Sequence, residues 1–132
     1  MKKSKIAIFD IDGTIFRKNL AFELINELAW LKVFKKSVRD ELVRLYTNWL
    51  NHKGVYEDYR KALIDLYSKN IVGCHKEEVL HASRIVVPFF KDRTYIFTSQ
   101  LIEKLKKEHY NIIAISGSPQ EIVDEYNKYL KF

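Results

Sequence analysis

Two aspartates, Asp10 and Asp12, stand two residues apart at the end of the apolar run Ile6-Ala7-Ile8-Phe9 and are followed by Gly13 and Thr14. Side chains two apart on a strand point the same way, so both carboxylates can reach one reaction centre. Paired carboxylates suit acid and base work, because a neighbouring carboxylate is one means of keeping a proton on a carboxylic acid near neutral pH. The β-branched residues before them supply a rigid platform, and Gly13 lets the backbone leave the strand sharply and offer its amide to a ligand. An Asp-x-Asp-Gly order also occurs in calcium-binding EF-hand loops. With Gly13 in the sixth place, however, the first ligand position falls on Ile8 and the twelfth on Asn19, neither of which serves such a loop. The bland alternative is a strand that ends in an ordinary polar turn. A second motif downstream weighs against it.

That second motif is the apolar run Asn111-Ile112-Ile113-Ala114-Ile115 ending in Ser116-Gly117-Ser118-Pro119. Ser118 suits an N-cap, Pro119 the first helical position and Glu121 the closing residue of a capping box. A helix is therefore expected at this strand's tip, with free amides and a positive dipole end that favour phosphate. Ser118 reads as a cap and Ser116 as a functional hydroxyl.

The first run resembles motif I of the haloacid dehalogenase (HAD) superfamily, and the second resembles motif II in the form found in its phosphoserine phosphatase-like branch, subfamily IB. The resemblance implies that Asp10 attacks phosphorus and that Asp12 is general acid and base, protonating the leaving alcohol. It implies a phosphate site made by Gly13, Thr14, Ser116 and Gly117. It also implies magnesium (Mg2+), held by Asp10 and the backbone carbonyl of Asp12. A carboxylate nucleophile divides hydrolysis into formation and breakdown of an aspartyl phosphate, which is easier than one attack by water on a dianion.

Positioning these residues falls to the elements around them. From about Phe16 to Tyr95 the periodicity is helical: Leu20, Leu24, Leu28 and Leu31 share a face, as do Leu42, Leu45, Tyr46 and Trp49, and then Tyr56, Tyr59, Leu63, Leu66 and Tyr67. Breaks are expected near Ser37, Asn51 to Gly54, Asn70 to Gly73, and Pro88. Tyr95-Ile96-Phe97 reads as a short extended entry, and Ser99 as the N-cap of a helix over Gln100 to Tyr110. The expected fold is thus α/β: a HAD-like (Rossmann-like) parallel sheet, incomplete, with a helical cap inserted between its first two strands. A partial core domain would span 1–15 and 96–132, and the cap 16–95. Such caps exclude water and hold the leaving group.

Composition narrows the remaining classes. The chain has 132 residues, 47% of them hydrophobic, which is enough for a buried core. Its net charge of +6 is dispersed among acids, as in Glu103-Lys104-Leu105-Lys106-Lys107-Glu108, so solvated helix faces are expected and nucleic-acid binding is not. His52, His75, His81 and His109 lack zinc-ligand spacing, and Cys74, the single cysteine, can form no internal disulfide. No run spans a bilayer or reads as a signal peptide, since Asp10 interrupts the first apolar stretch, and a cytoplasmic location without membrane contact is expected.

The family pattern also includes a lysine and an acidic pair beyond motif II. Here Lys128 and Lys131 fall within the last expected helix and no acidic pair follows, so the chain resembles the N-terminal part of such an enzyme. The expectation is weak activity by itself, with self-association or pairing with a missing C-terminal half through unpaired strand edges. Arg17 and Lys18 follow motif I and suit a second anionic group rather than an ammonium group. The expected function is hydrolysis of a small phosphorylated substrate, a phosphomonoester, through an aspartyl phosphate. A phosphotransferase with the same intermediate and a non-catalytic binding protein are the alternatives.

Overall fold

The computed structural model describes residues 3–130. Strand β1 (Ile6–Asp10) leads through a short loop to helices α1 (Leu20–Trp30), α2 (Lys36–Leu50), α3 (Tyr56–Asn70), α4 (Lys76–Phe90) and α5 (Ile96–Lys107); β2 (Asn111–Ile115) and α6 (Gln120–Leu130) follow. The strands pair in parallel, from Ile6 opposite Asn111 to Asp10 opposite Ile115. Both aspartates therefore leave the sheet at the end where Ser116 also emerges.

The expected α/β architecture, a HAD-like parallel sheet with a helical cap, does not form. The described residues make a mostly helical protein whose sheet has two strands, β1 and β2. A parallel sheet at the centre of an α/β fold is covered on both faces. Here burial alternates along each strand, and Ile8 and Ile115 stay 62% and 57% exposed. The hydrophobic centre lies among helices instead. One cluster joins Ile11 and Phe16 after β1, Leu24 and Leu28 of α1, Leu42 of α2, Leu63 of α3, Val86 of α4 and Ile122 and Tyr126 of α6. Two apolar strands and a helical insertion are common to many folds, and they do not dictate a wide sheet.

The local signals account for most helix boundaries. Asn19 caps α1, its side chain accepting from the Phe22 amide, and the buried stripe Leu20, Leu24, Ile25 and Leu28 faces the core. Gly54 and Gly73, with φ of 85° and 86°, lie in the breaks on either side of α3. At the start of α4 the His75 amide donates to the Glu78 carboxylate at 3.1 Å.

Two boundaries differ from expectation. Pro88 lies inside α4, which runs on to Phe90. Proline ends a helix by withholding an amide and crowding the preceding turn, and near a helix end little remains to be interrupted. Helix α5 starts at Ile96, with Tyr95 rather than Ser99 at its N-cap, and the Ser99 amide already donates to the Tyr95 carbonyl at 3.0 Å. Of Tyr95-Ile96-Phe97 only Tyr95 is extended, next to Thr94, which bridges to Phe16. Lys131 lies outside the described residues. Among the described residues no helix is long and apolar enough to cross a membrane.

Candidate functional site

Beyond Asp10 the chain folds into a closed loop. The Ile11 amide extends the sheet by donating to the Ile115 carbonyl at 3.0 Å, and the Ile11 carbonyl then accepts from Thr14, Ile15 and Phe16 at 3.2, 3.0 and 2.9 Å. Gly13 adopts φ 78°, in the left-handed region, and its amide donates to the Phe16 carbonyl at 2.8 Å. The Gly13 and Thr14 amides are thus used within the loop, and the role left to Gly13 is the sharp turn.

Asp12 is the hub. Its Oδ1 accepts from the Leu20 amide at 2.7 Å and its Oδ2 from the Ser116 hydroxyl at 2.6 Å. The Ser118 hydroxyl lies 3.3 and 3.2 Å from the two oxygens. Ser118 Oγ accepts from the Ala21 amide at 3.1 Å, and the Ser118 amide donates to Ser116 Oγ at 3.0 Å. The first three amides of α1, which a helix cannot satisfy internally, are therefore taken by Asp12, Ser118 and Asn19. The anion at a helix N-terminus is the protein's own Asp12, and the helix is α1 rather than α6.

Ser118 is accordingly a site residue, and the helix amide from which its hydroxyl accepts is that of Ala21 in α1. The partners of Ser118 lie 97 and 106 residues away in the sequence, beyond the reach of a local signal.

Asp10 is the less engaged carboxylate. It is exposed, and the hydroxyl of Thr14 is 3.5 Å from its Oδ2. Asp10 and Asp12 line one cavity of about 230 Å³ with Gly117, Ser118 and Arg60 of α3. Arg60 was not singled out by motif, yet it lies four residues after Tyr56 and three before Leu63, on the face of α3 that the periodicity marks. Its guanidinium bonds Glu57 at 3.0 and 2.6 Å.

Arg17 and Lys18 are placed elsewhere. They line a second cavity, of about 340 Å³, that also meets Asp12 and Gly13. Arg17 lies over the Tyr95 ring at 5.8 Å, and Lys18 lies over Phe90 at 5.1 Å while pairing with Glu23 at 3.4 Å. Glu23 is buried, and loss of hydration pushes its pKa above the ordinary carboxylate value, with Lys18 opposing the shift. Tyr126 of α6 is also buried. Burial, reinforced by the charge of Asp12, pushes its phenol up to about 12.

Among the described residues no group of three or more His, Cys, Asp or Glu side chains is arranged around a metal position. Magnesium does not demand one. It keeps several waters and is commonly held by one or two carboxylates together with substrate phosphate. The exposed Asp10 carboxylate and the nearby Asp12 carbonyl fit that kind of donor set.

Comparison with known proteins gives no match to a family model, a curated protein or a solved structure.

Proposed function

We propose that this protein hydrolyses a phosphomonoester through an aspartyl phosphate on Asp10. The observation that carries the reading is the contrast between the two carboxylates of one cavity: Asp10 is open, whereas Asp12 is fixed by Leu20, Ser116 and Ser118. The resemblance of the Asp10 to Thr14 and Ser116 to Pro119 segments to HAD motifs I and II supports the same assignment.

In the first step an Asp10 oxygen bonds to phosphorus as the ester's P–O bond breaks, and Asp12 passes its proton to the departing alkoxide. In the second, water attacks phosphorus and returns a proton to Asp12. The acyl phosphate then breaks to release inorganic phosphate and free Asp10. To carry a proton, Asp12 must exchange one of its serine hydrogen bonds for the substrate. Arg60 supplies positive charge at the same cavity, where a phosphoryl group approaching two carboxylates needs it most. Magnesium, held by Asp10 and the Asp12 carbonyl, would offset the repulsion between carboxylate and phosphate.

The test is to incubate the full chain with p-nitrophenyl phosphate and magnesium, follow phosphate release, and look for phosphorylated Asp10 by peptide mass spectrometry after acid quench. Release that needs Asp10, together with a phosphorylated peptide containing it, is the expected result. Absence of both would overturn the proposal.

A further inference from the structure

The two cavities meet at Asp12. Asp12, Asn19 and Tyr56 line both the one that holds Asp10 and Arg60 and the larger one beside it. With phosphorus next to Asp10, the ester oxygen that Asp12 protonates must lie at this junction. The alcohol portion then extends into the larger cavity. Its walls therefore describe the alcohol.

Those walls are aromatic. Phe22 of α1 meets Tyr46 of α2 with ring centroids 5.2 Å apart, and Trp49 of α2 meets Tyr56 and Tyr59 of α3 at 5.3 and 6.1 Å. Phe22 packs against the core, and the other rings stand outside it. Tyr46 and Tyr56 remain 41% and 47% exposed, facing open space between three helices. Aromatic rings left partly uncovered around a concavity fit a binding wall rather than a packing element.

Resting on the function proposed above, we infer that the substrate is a phosphomonoester whose alcohol carries a planar aromatic ring, seated against Trp49, Tyr59 and Tyr46. The size agrees. The cavity of about 340 Å³ exceeds the roughly 150 Å³ in which an apolar cavity holds benzene. The charges select among alcohols that rings can bind. An aromatic cage also attracts organic cations, but Arg17 and Lys18 line this cavity and Lys18 pairs with its one buried acid, Glu23. With Asp12 and Glu23 set against Arg17 and Lys18, the cavity holds no excess of negative charge to draw a cationic alcohol. A neutral ring needs none.

Binding of analogues that cannot be hydrolysed separates this inference from the catalytic one. The full chain, as the Trp30→Phe variant so that Trp49 is the sole tryptophan, is titrated with phenylphosphonate, methylphosphonate and the cationic 2-aminoethylphosphonate in the presence of magnesium, by tryptophan fluorescence and calorimetry. Phenylphosphonate should bind roughly tenfold more tightly than methylphosphonate, the worth of a good ring contact, and should change the Trp49 emission. Trp49→Ala should remove most of that preference in calorimetry, and Tyr46→Ala, at an exposed position, should reduce it if the tryptophan variant fails to fold. Equal affinities for phenylphosphonate and methylphosphonate, no binding of either, or tightest binding of 2-aminoethylphosphonate would overturn the inference. If phenylphosphonate is preferred but no aryl phosphate is hydrolysed, the pocket stands and the catalytic proposal falls.

Discussion

The Ser116 hydroxyl donates to the Asp12 carboxylate at 2.6 Å across 104 residues of sequence. It is the most direct tie between the loop after β1 and the segment after β2. Ser116 also accepts the Ser118 amide, so its oxygen holds both sides of the site in place. Ser116→Ala removes a charge-assisted hydrogen bond and leaves a partly buried amide without its acceptor. The expected cost is about 1.5–3 kcal/mol in urea unfolding. A change below about 0.5 kcal/mol would show that the tie contributes nothing.

The two aspartates should respond differently to the same substitution. Asp10 is exposed and lightly bonded, so Asp10→Asn should leave stability within about 0.5 kcal/mol of the parent while abolishing phosphoenzyme. Asp12→Asn places an amide group where hydroxyl and backbone donors now converge, which costs stability as well as slowing turnover by roughly 10²- to 10⁴-fold. Urea titrations beside activity assays give both readings. Indistinguishable stability losses would contradict the division of labour.

What was legible in the sequence follows the range of each interaction. The runs Ile6 to Asp10 and Asn111 to Ile115 announce strands because a short apolar run rich in β-branched residues and ended by turn residues is a local signal, and their parallel pairing brings Asp12 and Ser116 together. Ser118 reads locally as a cap, whereas its partners are Asp12 and the Ala21 amide, the latter 97 residues away, and no capping rule reaches that far. The fold class failed for a related reason. A motif describes a strand tip, whereas the extent of a sheet depends on which surfaces pack, and here the helices pack on one another. Arg60 enters the site only because α3 lies beside the loop after β1, a tertiary fact.

Arg60 should matter to phosphate and not to the fold. It lines the Asp10 cavity but its partner Glu57 is exposed, and exposed ion pairs contribute little to stability. Arg60→Ala should weaken inhibition by inorganic phosphate roughly tenfold, the loss expected for a charged hydrogen bond, with no shift of the unfolding midpoint. Arg60→Lys should recover only part, because lysine cannot present a planar fork. Unaltered phosphate inhibition in the alanine variant would place the binding cation elsewhere.

Glu23 makes stability depend on pH in a definite direction. Its pKa in the folded protein is raised above the ordinary 4.5, chiefly by desolvation, so the folded state holds its proton more firmly than the unfolded chain. The stabilisation is complete below 4.5 and is lost as pH rises through the folded-state value. Glu23→Gln should flatten this part of the stability profile and should also release Lys18 from its 3.4 Å pairing. Urea midpoints measured from acid to neutral pH decide the matter. A slope unchanged in the variant would assign the dependence to another carboxylate.

Tyr126 offers a substitution that should improve the protein. The side chain is 1% exposed and packs its ring 5.3 Å from Phe16, yet its hydroxyl has no hydrogen-bond partner among the described residues. A buried hydroxyl left unpaired costs about 1–3 kcal/mol. Phenylalanine keeps the ring and removes the unpaired group, so Tyr126→Phe should raise stability at neutral pH by about 1 kcal/mol. The alkaline limb supplies an independent check. Because the folded-state phenol titrates near 12 rather than 10, native Tyr126 contributes stability that is lost as pH rises through that interval. Tyr59 and Tyr67 are shifted in the same direction, so the variant should lose only part of the alkaline decline. Unfolding midpoints at pH near 7 and near 11 should therefore lie further apart in the parent than in Tyr126→Phe. A variant less stable than the parent at neutral pH would mean that the hydroxyl has a partner, such as a bound water reaching toward Asp12, and that this buried edge of the site is polar rather than dry.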